Sequence, residues 1–118
     1  NTIIVGLDHP NLDEDTVYYN NSGVWDKLIA DGLTLSNINV SQSNLLISHG
    51  QTVERYDQTL SKTGEITHFD ANGKILPTAA MVDIEGFVLI ADASQGLIRI
   101  KNNLYSYSQI FISGNYLT

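Results

Sequence analysis

Cysteine is absent from the 118 residues, which removes disulfides, thiolate zinc sites and thiol nucleophiles together. Charge is scarce as well. Asp, Glu, Lys and Arg make up 16% of the chain, against roughly 25% in an ordinary soluble domain. Basic residues are the rarer sign: 6 Lys and Arg stand against 13 Asp and Glu, for a formal net charge of −7. Arginine occurs only at Arg55 and Arg99, and the lysines are scattered. Binding phosphate takes clustered cations, so neither nucleic acid nor an anionic membrane is an expected partner. No apolar run approaches the roughly 20 residues of a membrane helix, so no membrane insertion is expected. No signal peptide is visible, and the chain opens on Asn1 rather than Met, as a fragment or a processed product would. Motifs that announce chemistry are also missing: there is no G-x-S-x-G elbow, no Walker loop and no G-x-G-x-x-G. The expectation is a protein that is not an enzyme, with no catalytic residues, no metal and no cofactor.

Polarity is carried instead by Asn, Ser, Thr, Gln and Gly. That mixture suits β-proteins on the outside of virions and cells, which is the expected location. Hydrophobic residues reach 42%, enough for the core of one domain spanning residues 1–118.

The strongest positive signal is repetition. Five segments align: Thr16–Gly32 (TVYYNNSGVWDKLIADG), Ser36–Gly50 (SNINVSQSNLLISHG), Tyr56–Gly73 (YDQTLSKTGEITHFDANG), Ala79–Gly96 (AAMVDIEGFVLIADASQG) and Asn102–Gly114 (NNLYSYSQIFISG). Each reads as strand, tight turn, strand and closing glycine. Mid-unit turns are expected at Ser22-Gly23, Ser43-Asn44, Thr63-Gly64 and Glu85-Gly86. The fifth unit offers only Ser108-Gln109. Closing turns are expected at Asp31-Gly32, His49-Gly50, Asn72-Gly73, Gln95-Gly96 and Ser113-Gly114. Gly and Asn accept the positive φ that two-residue hairpins demand. A turn signal about every 8–12 residues is the rhythm of an all-β fold. The fold class is therefore all-β, with repeated antiparallel hairpins in a solenoid- or meander-like array.

The strands fit this reading. Ile38 and Val40 alternate with polar neighbours, as do Val82 and Ile84, and Ile98 and Ile100 bracket Arg99; period two means one buried face. Leu45-Leu46-Ile47, Phe87-Val88-Leu89-Ile90 and Ile110-Phe111-Ile112 are apolar at every position. They predict strands covered on both faces, in part by another subunit. Trp25, Leu28 and Ile29 also fit one turn of helix ending at Asp31-Gly32, as the alternative to a hairpin strand. Pro10 and Pro77 fall between units, where proline harms no ladder.

Candidate binding residues come from the aromatics. Exposed Tyr and Trp are platforms for sugar rings and protein partners. Tyr18, Tyr19, Asn20 and Trp25 form the candidate ligand-binding set, because adjacent strand residues face opposite ways and one tyrosine must point outward. The acidic stretch Asp8–Asp15 has oxygen ligands of the kind calcium takes, yet lacks the EF-hand glycine and terminal glutamate, and reads as a solvated loop. His9, His49 and His68 have no paired zinc spacing. Asp83 and Glu85 share a strand face and read as surface charge rather than as a glycosidase pair. Asn20 and Asn39 open N-x-S sequons.

TVYYNNSGVWDKL (Thr16–Leu28) resembles segments of bacteriophage tail and head fibres. LTLSNINVSQSNLLISHG and QTLSKTGEITHFDANG resemble the hairpin repeats of viral fibre shafts, in which three chains wind together. The resemblance implies a homotrimer, here compact because the repeats are longer than a shaft's. It implies an attachment module of a virion fibre, or of a cell-surface adhesin, that binds a host receptor or glycan. Gly64–Ile100 (GEITHFDANGKILPTAAMVDIEGFVLIADASQGLIRI) is similar instead to a blade of an NHL-like β-propeller. That alternative implies a fragment of a larger ring with ligand-binding or hydrolytic work at its loops.

Overall fold

The computed structural model describes residues 2–11, 14–70, 72–100 and 107–111. Among them there is no helix, and the eleven strands form three antiparallel sheets, none closed into a barrel. The first sheet holds β1 (Thr2–Leu7), β2 (Asp15–Asn21) and β3 (Val24–Leu33). In the second are β4 (Leu35–Ser41), β5 (Asn44–His49), β6 (Thr52–Tyr56) and β7 (Lys62–Ile66). The third consists of β8 (Pro77–Val82), β9 (Val88–Asp92), β10 (Gly96–Ile100) and β11 (Tyr107–Phe111). Within each sheet, chain neighbours are spatial neighbours, so every sheet is an up-and-down meander. The all-β, antiparallel expectation is met. The chain divides into two compact units, Asn1–Leu35 and Ser36–Thr118.

Local chemistry explains the turns. Ser22 and Gly23 both have positive φ, 64° and 87°, as do Gln42 and Ser43 at 47° and 61°. Two consecutive positive φ angles make the type I′ turn whose twist matches a hairpin. The second turn therefore sits one residue before the expected Ser43-Asn44. Glu85-Gly86 lies in the β8–β9 turn, Gly50 in the β5–β6 turn, and Gln95 in the turn that ends at Gly96.

Three expectations are corrected. Thr63 and Gly64 lie inside β7, opposite Arg55 for the glycine, and the β6–β7 turn runs from Asp57 to Ser61. Gly32 has φ 102° but lies within β3, where the register slips between Asp15–Leu33 and Val17–Ile29. It marks a bulge rather than a closing turn, because bulges and turns make the same demand on φ. The helix alternative over residues 25–32 gives way to β3. Ser113-Gly114 and most of the fifth segment lie outside the described residues.

Asp side chains finish the turns. Asp57 Oδ1 accepts the backbone N–H groups of Thr59 and Ser61, and Asp70 Oδ1 those of Asn72 and Gly73. Asp83 Oδ1 takes Glu85 and Phe87, and Asp92 Oδ1 takes Ser94 and Gln95. Four successive connections, from β6 to β10, thus close on an aspartate, three of them at a strand end and Asp70 within the β7–β8 connection. Asp92 does more: its Oδ2 accepts Leu76 N–H at 2.6 Å, fixing the chain where it enters β8. Asp15, in the first unit, is built alike, accepting His9 N–H and Leu35 N–H at 2.6 and 2.8 Å. Both side chains are buried and both carboxyls are held below the ordinary range; burial pushes the Asp92 carboxyl up, but its backbone donors outweigh it.

The core of the second unit lies between its two sheets. Leu46, Val53 and Ile66 face Ala80, Val82, Val88, Ile90, Ile98 and Ile100, with Ile75 of the β7–β8 connection filling the end and Phe69 against it. β8 makes its intersheet contacts with β5 and β6, and Ser41 Oγ accepts Val82 N–H at 2.7 Å, joining the ends of β4 and β8. β5 is buried at Leu45, Leu46, Ile47 and Ser48, so its apolar run is covered on both faces. The Phe87–Ile90 run differs: Val88 and Ile90 are fully buried, whereas Phe87 and Leu89 are half-buried on the other face. The Ile110–Ile112 run lies outside the residues whose side chains are described.

Ile90→Ala is expected to cost about 2–5 kcal/mol, from lost transfer energy and the cavity left behind. Ile84→Ala, at a residue 87% exposed, should stay within about 0.5 kcal/mol. Urea unfolding of the two variants checks the pair; equal costs would mean that the sheets do not pack as described.

Candidate functional site

Strand register decides which of the candidate residues meet. Asn20 stands opposite Trp25 on one side and Ile3 on the other, and Tyr18 stands between Lys27 and Val5. Directly opposed residues of antiparallel strands point the same way. Tyr18, Asn20 and Trp25 therefore share a face with Ile3, Val5 and Lys27. Tyr19, opposite Ile4 and Asp26, points to the other face. Trp25 is 53% exposed and Ile3 56%, while Tyr18 and Asn20 are half-buried. The hairpin turn fixes Asn20, whose Oδ1 accepts Gly23 N–H at 3.0 Å. Among the described residues its amide N–H groups make no hydrogen bond. An indole, a phenol ring and a carboxamide donor on one pleated surface suit a ligand with an apolar face and hydroxyl or carbonyl rim.

A second cluster was not visible in the sequence. On the face of the second sheet turned away from the third, Glu54 is surrounded by titratable groups. Its Oε2 lies 2.5 Å from His49 Nε2. Its Oε1 accepts the Tyr56 hydroxyl at 2.7 Å and sits 3.1 Å from Lys62 Nζ, which also reaches Glu65 at 3.3 Å. The His49 contact, joined by Tyr56 and Lys62, outweighs burial and holds the Glu54 carboxyl at about 2. Burial, and then the Glu54 carboxylate it donates to, push the Tyr56 phenol up. Each Glu54 oxygen already has a partner, so the cluster is saturated as it stands and acts as an internal clamp across β5, β6 and β7.

Other polar groups serve the fold. Arg99 lies over the Phe87 ring at 3.5 Å from its centroid and contacts Asp83 and Glu85 at 3.4 Å each. In the acidic segment, Asp15 points into its own backbone contacts, and His9 Nδ1 lies 3.0 Å from Glu14. Asp13 lies outside the described residues. Among the described residues, no group of three or more His, Asp or Glu side chains is arranged to hold a metal ion. Nor is any helix long and apolar enough to cross a membrane.

No protein-family model, curated protein or solved structure matches the chain.

Glu54 supplies a pH test. A carboxyl lowered by folding stabilises fully above its ordinary value near 4.5, and that contribution drains away as pH falls toward about 2. Glu54→Gln is expected to cost about 1–3 kcal/mol at neutral pH. It should also flatten the fall of the urea midpoint between pH 4.5 and 2, leaving the part due to Asp15, Asp57, Asp83 and Asp92. Parallel pH profiles for both proteins would show that the clamp contributes nothing.

Proposed function

We propose that the chain is a recognition module, made like consecutive blades of a β-propeller, that binds its partner on the Tyr18–Asn20–Trp25 face. One observation carries the reading of function: a large indole stands half in solvent on a rigid strand, beside a ring and a fixed amide. A rigid aromatic anchor loses little conformational entropy on binding, which is why such residues dominate interfaces. The blade-like construction rests on the second and third sheets. Each is a four-stranded meander, and they pack face to face through small and medium aliphatic side chains.

Recognition is favoured over turnover because the densest titratable cluster among the described residues, around Glu54, has each carboxylate oxygen engaged by its own neighbours. The ligand class that suits the face is a glycan or a receptor surface. The few charges and many amides and hydroxyls suit the outside of a virion or a cell. An assembly of three such chains would multiply weak contacts by avidity.

A glycan array probed with the purified chain tests this. Trp25→Ala should weaken retention by about tenfold or more, the scale of a tryptophan hot spot. Tyr19→Ala, on the other face, should leave it unchanged. Binding indifferent to Trp25 would overturn the assignment.

A further inference from the structure

The first sheet ends at β1, whose side away from β2 carries no strand among the described residues. Every second residue of an edge strand turns its N–H and C=O outward, and an added strand satisfies the whole row together. Sheet edges are commonly blunted by charge, proline or a bulge. β3 has Asp26, Lys27 and a slipped register, β7 has Lys62 and Glu65, and β8 opens on Pro77 beside a slip. β1, Thr-Ile-Ile-Val-Gly-Leu, has no charge and no proline, and its six pairs with β2 run without a slip.

The spacing of its side chains selects the strand that fits. Ile3, Val5 and Leu7 share a face, and Ile3 and Leu7 are its exposed members, at 56% and 49%. They stand symmetrically about Val5. An antiparallel strand of the same sequence, centred on Val5, sets Ile3 of each copy opposite Leu7 of the other, Val5 opposite Val5 and Ile4 opposite Gly6. Directly opposed Cβ atoms lie about 4.5–5.5 Å apart, so the two exposed aliphatic chains cover one another. Charge selects the same direction. Asp8 then meets Thr2, whereas a parallel pair in register would set Asp8 beside Asp8.

We propose that β1 is a self-pairing edge: two copies of the chain join β1 to β1, antiparallel about Val5, into one continuous six-stranded sheet. The contact is isologous, so it closes at two copies. Its two-fold axis stands normal to the sheet and turns each face onto itself. The Tyr18–Asn20–Trp25 faces of both copies therefore look the same way on one surface. The pairing rests on the β1 edge and not on the reading of that face as a recognition surface. For a ligand taken by that face, the pair is bivalent.

Sedimentation velocity of the intact chain from about 1 to 500 μM brackets the weak association that so short a contact gives. Mass should grow from one copy toward two. Hydrogen exchange across residues 2–7 should slow in step with it, while β2, already paired on both sides, keeps its protection. Ile3→Lys and Leu7→Glu, both at exposed positions, should each weaken association about tenfold or more, with the circular dichroism of the wild type. Equimolar mixing of these two variants should restore a pair, because only the mixed pair sets the new cation opposite the new anion. Trp25→Ala should leave association unchanged. A wild-type monomer throughout the range overturns the proposal. So does association, in a trimer or any other assembly, that ignores both substitutions, or a mixture that stays monomeric. A monomer that retains a glycan through Trp25 keeps the recognition face and loses the pairing. A pair whose glycan retention ignores Trp25 keeps the pairing and loses the recognition face.

Discussion

The packing of the third sheet on the second is the constraint from which the larger unit follows. Neither sheet can bury its apolar face alone, and a two-dimensional array of Val and Ile side chains is stable only when a matching array covers it. Each fully buried aliphatic side chain is worth roughly 1.5–3 kcal/mol, so the facing set from Leu46 to Ile100 dominates everything polar in the unit. That contact also dictates the connection between the sheets. The segment from Thr67 to Leu76 must leave the β7 edge of the second sheet and enter β8, the edge strand of the third, which packs over β5 and β6. It does so by folding into a small hairpin of its own, with Ile75 N–H bonded to Thr67 O and Phe69 N–H to Gly73 O.

Aspartate does the positional work that disulfides do elsewhere. A carboxylate offers several acceptor sites in a compact group, so one side chain can satisfy a turn and a neighbouring strand at once. Asp92 and Asp15 use this capacity while buried, each taking at least two backbone N–H groups that would otherwise be unpaired. In a chain without cysteine, strand ends are fixed by these bonds. They are individually modest, but each sits where fraying would begin.

Much of the fold was legible because strands and I′ turns leave local traces. The apolar Leu45–Ile47 run announced a strand covered on both sides, and Ser22-Gly23 announced its hairpin. The errors share one cause. Glycine signals a conformational permission, not the element that uses it: Gly64 leaves it unused inside a strand, and Gly32 spends it on a bulge. The β6–β7 turn was missed because Leu60 carries its positive φ of 63°, a residue that no turn rule nominates. The candidate face was legible in part. Alternation separated Tyr18 from Tyr19, but the pairing of Asn20 with Trp25 needs the register. The Glu54 clamp was illegible for the same reason, since His49, Tyr56 and Lys62 reach it from three strands and leave no spacing motif. Its one trace is that Glu54 alternates with Val53 and Arg55 beside Tyr56.

The Asp70 turn carries a consequence for the chemical ageing of the protein. Asn72-Gly73 is the dipeptide in which succinimide closes most readily, because the glycine amide nitrogen can swing onto the asparagine side chain and expel ammonia. Here that nitrogen donates to Asp70 Oδ1 at 2.7 Å, and the glycine lies under the Phe69 ring so closely that a Cβ would stand 2.2 Å from its Cζ. The attacking group is held in place and its plane is fixed by an aromatic ring that also caps the core. Deamidation at this site is thereby coupled to folding: it is suppressed while the turn is closed and released when the chain opens, so that isoaspartate would accumulate as a record of time spent unfolded.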